Sequence, residues 1–276
     1  MILSTPSVLL APSGAWLLMG VAAALYLLAA LPLALLRRLS AAALLGGFAL
    51  HALLLLIDIA GLGQLVPGAR LGFGPVLSMT VWLVIAVYAV ESRLVPLPAV
   101  RQWLGLAGVG AGLLAALFPG DAKPLHSALA PLHFALGVGS YGLFGAAVLH
   151  ALLLDAAERR LRTAAGPART QPGHSMGMPL LQLERLTFRF VEAGFAALSA
   201  TLVLGVLSTV HWRWDDHKAV FSLLAWGVFA ALLLGRHLRG WRGRQATRWL
   251  YLGAVLLLLG YAGSRFVLEV LLGRGA

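Results

Sequence analysis

Eight apolar runs decide what this chain can fold into. They cover about 12–36, 40–62, 75–91, 99–118, 127–154, 183–209, 218–238 and 247–272 of 276 residues. A helix needs roughly 20 apolar residues to cross a bilayer's hydrocarbon core, and a crossing segment must satisfy its own backbone polar groups. The expectation is an all-α integral membrane protein: a bundle of about eight transmembrane helices forming a single domain over 1–276. Composition supports this, since only 11% of residues are charged against roughly 25% in a soluble domain. A soluble enzyme, a nucleic-acid module and a disordered chain are excluded. The first run lacks a basic leader and is long for a signal peptide, so it is expected to persist in the mature protein.

The net charge of +11 sits beside the apolar runs, and every cation but Lys123 and Lys218 is Arg. The loops after runs one, three, five and seven carry Arg37 and Arg38; Arg93 and Arg101; Arg159, Arg160, Arg162 and Arg169; and Arg236, Arg239, Arg242 and Arg244. The opposite loops carry only Arg70, Lys123, Arg213 and Lys218. Basic loops stay on the cytoplasmic side, against anionic headgroups. Both termini are therefore expected outside, on the periplasmic side of a bacterial inner membrane, with the bilayer and not nucleic acid as partner. The long loop at about 155–182 is expected to be cytoplasmic and mobile. With no Cys in the chain, a thiol relay, a CxxCH haem attachment and a disulfide are all excluded.

Ionisable groups inside a bilayer are costly and mark function by default. His133 opens run five near its outer end, and His133, Gly137, Ser140, Tyr141 and Phe144 share one helix face. An imidazole above a face of small residues suits axial ligation of a flat cofactor. The plainer alternative is a helix-end His bonded to water or a loop carbonyl. A second cluster reads His211-Trp212-Arg213-Trp214-Asp215-Asp216-His217-Lys218 and leads into a helix carrying Trp226. Its aromatic rings suit a porphyrin, Arg213 and Lys218 suit propionates, and either His suits iron. The alternative is an aromatic belt beside a self-paired charged loop. His51 and Asp58 are seven apart on run two and share a face, which suits a tautomer-fixing pair, a proton path or a packing contact. On run six, Arg189 and Glu192 stand three apart and can pair. Gly108-x-x-x-Gly112 and Gly142-x-x-x-Ala146 predict close helix packing. No internal repeat is visible.

At these clusters the sequence resembles the cytochrome c assembly, or haem-handling, integral membrane proteins of the CcsA and CcmC type. It is most similar to the eight-helix bacterial inner-membrane relatives outside the assembly operons. The resemblance spans about 40–272. It rests on His133 followed by Ser140-Tyr141, on Trp212-Arg213-Trp214-Asp215, and on Ser222-Leu223-Leu224-Ala225-Trp226. The family's Pro after Trp-Asp is replaced here. Its second periplasmic His, after the last helix, has no counterpart in 261–269.

The resemblance implies a protein that binds or passes haem, as haem b, at its periplasmic face without turning over a substrate. His133 would be one axial ligand and His217 the other, with His211 in reserve. Trp212, Trp214 and Trp226 would pack the macrocycle beside Tyr141, while Arg213 and Lys218 would hold propionates. His51 would serve haem entry within the bilayer. Partners would be other cytochrome c maturation membrane proteins or an apocytochrome. Two rival readings are an accessory scaffold that keeps the fold with a degenerate haem site, and a small-molecule or ion transporter using His51 and Asp58.

Overall fold

A computed structural model describes residues 12–31, 37–60, 69–70, 72–93, 98–119, 122–123, 129–163, 174–175, 178–208, 217–263 and 266. Among the described residues there are eight α-helices: α1 (Pro12–Ala30), α2 (Arg37–Ala60), α3 (Phe73–Glu91), α4 (Pro98–Leu117), α5 (Ala130–Thr163), α6 (Leu180–Ser208), α7 (His217–Arg239) and α8 (Gly243–Leu258). A π-helical turn, Leu259–Gly263, continues α8. Six of the helices are long and apolar enough to cross a membrane. Two-residue ladders pair β1 (Ala69–Arg70) with β2 (Ala122–Lys123), and β3 (His174–Ser175) with β4 (Met178–Pro179).

Two boundaries depart from the apolar runs. Helix α1 stops at Ala30 because Pro32 disfavours helical backbone at Leu31. Helix α5 continues nine residues past its run, through Asp155–Thr163, because Ala, Glu, Arg and Leu keep helix propensity where hydropathy fails. The segment expected as a mobile loop at 155–182 is thus helical at both of its ends.

The helices sort into two compact units, Met1–Ala128 with Arg265–Ala276, and Leu129–Ser264. In the first, each of α1 to α4 packs on its neighbours in sequence, and α4 closes the ring on α1. Small residues of α4 set this closure. A Cβ at Gly108 would stand 2.8 Å from the Tyr26 ring, and one at Gly112 would strike Met19. The expected Gly-x-x-x-Gly packing is therefore present, with α1 as its partner. Arg101 is buried and donates to the Ala29 carbonyl at 3.4 Å. The end of α1 and the start of α4 thus share one side of the unit, while the β1–β2 ladder joins the loops at the other.

In the second unit α5 to α8 form a ring in the same neighbour order, a correspondence between halves that the sequence hides. Phe144 and Phe229 stack at 3.8 Å at its centre, within a core that includes Val191, Leu198, Leu232 and Leu250. Polar links tie the helices at one end. Asp155 accepts from Thr247 at 3.2 Å and Tyr251 at 2.9 Å, and Arg236 pairs with Glu184 at 3.0 Å over the Phe188 ring. Sequence spacing offers Glu192 as a partner for Arg189; an ion pair that joins two helices is Arg236–Glu184. Helix α7 ends on Gly240, whose φ of 66° needs glycine and whose N–H bonds to the Arg236 carbonyl.

Candidate functional site

His133 lies in the first turn of α5, half-buried against α6. Its Nδ1 is 3.0 Å from the Thr201 carbonyl oxygen. A carbonyl only accepts, so Nδ1 carries the proton and the lone pair is on Nε2. This second-partner arrangement is what fixes tautomer and ring orientation in histidines that ligate metals. Gly205, one turn beyond Thr201, lets the ring approach: a Cβ there would stand 3.2 Å from Cε1.

The face below His133 is not open. Gly137 faces the Thr201 methyl, Ser140 is fully buried and donates to the Gly137 carbonyl at 2.7 Å, Tyr141 donates to the Leu257 carbonyl on α8, and Phe144 stacks on Phe229. The face is a packing seam, and Tyr141, expected beside the macrocycle, is one of its polar ties. His133 stands at the end of this seam.

His211, Trp212, Arg213 and Trp214 lie outside the described residues. His217 is the first residue of α7, with Lys218 half-buried beside it. Helical rise sets their level. His133 is eleven residues from Phe144 and His217 twelve from Phe229, or about 16 and 18 Å at ~1.5 Å per residue. Because the two phenyl rings stack, both histidine positions sit at the same end of this unit and at nearly the same height. Trp226 is separated from them. It lies nine residues into α7, about 13 Å from His217 along the axis, stacked on Phe195 and donating from Nε1 to Ser199 Oγ at 2.9 Å.

In the first unit His51 is buried among three helices. Its Nδ1 is 3.0 Å from the Tyr26 hydroxyl and its Nε2 is 2.6 Å from Ser78 Oγ. Both ring nitrogens are therefore occupied, and the group that fixes the tautomer is not Asp58. Sequence spacing missed Tyr26, Ser78 and Thr201 as partners, since each lies on another helix. His150, also buried, bonds through Nδ1 to the Ala146 carbonyl at 2.7 Å. Among the described residues no three His, Asp or Glu side chains cluster to hold a metal ion.

Two rings of four helices, six of them long enough to cross a membrane, with a pre-oriented imidazole at one end, define a polytopic helical membrane protein. The chain belongs to the cytochrome c assembly protein family, whose model matches residues 9–272. It is 32% identical over 142 residues to inner membrane protein YpjD of Escherichia coli K12, covering 51% of this chain and 52% of that one. An uncharacterized 28.8 kDa protein of Azospirillum brasilense is 32% identical over 147 residues, with the same coverage. Cytochrome c biogenesis protein CcsA of Gloeobacter violaceus is 31% identical over 98 residues, 34% of this chain and 29% of that one. The chain spans about half the length of the curated relatives it matches most extensively. No solved structure matches it.

Proposed function

We propose that the protein binds or passes haem b at the periplasmic face of the bacterial inner membrane during cytochrome c maturation, with His133 as one axial ligand. The observation that carries this reading is the Nδ1–H bond from His133 to the Thr201 carbonyl, which leaves Nε2 as a directed donor. His217 stands at the same height of the same unit and is the second ligand, with His211 in reserve. A haem held there would supply iron for imidazole nitrogen donors. The remaining chemistry belongs to the chain. Thr201 orients the ring and Gly205 leaves it room, while Trp212 and Trp214 would flank the macrocycle and Arg213 and Lys218 would pair with propionates. Trp226 lies about 13 Å from His217 along α7, where it stacks on Phe195 and donates to Ser199. Family membership supports the haem context, and the names of the inner-membrane and biogenesis relatives support the location. Maturation membrane proteins or an apocytochrome are the partners that follow.

A second reading, an accessory scaffold without haem, is favoured by the packed α5 face and by the missing His in 261–269. Haem titration of purified protein separates the two. The haem reading predicts a Soret band in the wild type, lost in His133→Ala and weakened in His217→Ala. A wild type that takes up no haem supports the scaffold.

A further inference from the structure

Helices α6 and α7 flank a groove of about 610 Å³ that the haem reading does not use. One part of its lining is apolar: Phe195 from α6 with Trp226, Ala230, Leu233 and Leu234 from α7. Trp226 is 37% and Leu234 58% exposed, so the groove is open along its side. Its other end is basic. Arg236 is anchored by Glu184, whereas His237 and Arg242 are exposed at the rim.

We infer that this groove binds an anionic phospholipid. One acyl chain lies along Phe195, Trp226 and Leu234, and the phosphate is held by His237 and Arg242. Two independent features carry the inference. The first is length. From Trp226 to His237 is eleven residues of α7, about 16 Å, close to half of a ~30 Å hydrocarbon core. The apolar lining therefore matches the depth of one leaflet, and the cations fall at the level of its headgroups. The second is charge. Arg236, His237 and Arg242 line the same end of the groove, and basic pockets between membrane helices take anionic headgroups. Glu192, the acid of the lining, is eight residues beyond Glu184 on α6. It therefore lies about 12 Å deeper than the Arg236–Glu184 pair, away from the rim and beside the stretch that Phe195 and Trp226 line. The inference is independent of haem binding and of which leaflet is cytoplasmic.

The experiment uses the full chain in phosphatidylcholine nanodiscs doped with a lipid brominated on its acyl chain, either phosphatidylglycerol or phosphatidylcholine. Quenching at Trp226 is isolated by difference from Trp226→Phe. Each surface cation contributes about fivefold to anionic lipid binding. Brominated phosphatidylglycerol should therefore quench Trp226 at several-fold lower mole fraction than brominated phosphatidylcholine. Arg242→Gln with His237→Gln should abolish that preference while leaving the circular dichroism unchanged. Inorganic phosphate should not relieve the quenching, because the acyl chain supplies part of the affinity. Equal quenching by both lipids would overturn the inference, as would a preference that survives the double substitution. Relief by free phosphate would reassign the rim to a soluble anion. Quenching of Trp226 by added haem, lost in the double variant and without lipid preference, would reassign the groove to haem.

Discussion

Replacing Gly108 by Ala tests whether the first unit is assembled around one tyrosine. The Tyr26 ring is held at both edges: a Cβ at Gly108 would stand 2.8 Å from Cε2, and one at Gly47 would stand 2.9 Å from Cδ1. Carbon atoms pack at about 3.5–4.0 Å, so the new methyl overlaps the ring by roughly 0.7 Å. The ring cannot retreat toward Gly47, and the Tyr26 hydroxyl is tied to His51 at 3.0 Å. Overpacking of this kind costs about 1–3 kcal/mol, and a strained interhelical hydrogen bond in a membrane adds about 0.6 kcal/mol, at most ~1.7. Ala returns up to ~1 kcal/mol of helix propensity, leaving a net loss of about 1–3 kcal/mol.

Two comparisons isolate the ring as the cause. Gly110, two residues along α4, has nothing within 4 Å of where an added methyl would lie, so Gly110→Ala should be neutral or stabilising. In a Tyr26→Ala background Gly108→Ala should lose its cost, because the atoms it strikes are gone. Reversible unfolding in mixed detergent micelles measures all of these variants. A Gly108→Ala protein as stable as Gly110→Ala would refute the clamp, and so would a cost that persists without the Tyr26 ring.

Three further substitutions probe the other polar contacts. Gly205→Ala places a methyl 3.2 Å from His133 Cε1 and shifts the ring off the Thr201 carbonyl; haem affinity should fall about 10–100-fold in a titration while the melting temperature changes little. Asp155→Ala removes the acceptor shared by Thr247 and Tyr251. It should cost about 1–3 kcal/mol, exceed Thr247→Ala in unfolding experiments, and speed amide exchange in α8 first. Ser78→Ala leaves His51 Nε2 without its partner and should lower stability by about 0.6–1.7 kcal/mol. Haem content measured on the same preparation should be unchanged, as expected of a packing contact.

The eight helices were legible in the sequence because each buries or presents a long apolar stretch, and hydropathy reports that directly. Boundaries were not legible where another term overrides hydropathy: Pro32 near the end of α1, and helix-forming charged residues through Thr163 at the end of α5. Gly108 was recognisable as a close contact, but Tyr26, the residue it contacts, is 82 positions away by number and carries no spacing signal. The same limit applies to His133. Its position at a helix start could be read, whereas its proton is assigned by a carbonyl 68 residues along the chain. His51 shows the complementary case. A seven-residue spacing pointed to Asp58 on its own helix, while its hydrogen bonds reach α1 and α3.

Chemical rescue of His133→Gly tests whether His133 supplies a nitrogen donor to haem iron. The purified wild type supplied with haem should show a Soret band with sharp α and β bands on reduction. The variant should lack these, and added imidazole should restore them by supplying the missing nitrogen donor. An unchanged wild-type spectrum in His133→Gly, or no haem spectrum in the wild type itself, would contradict the assignment of His133 as an axial ligand.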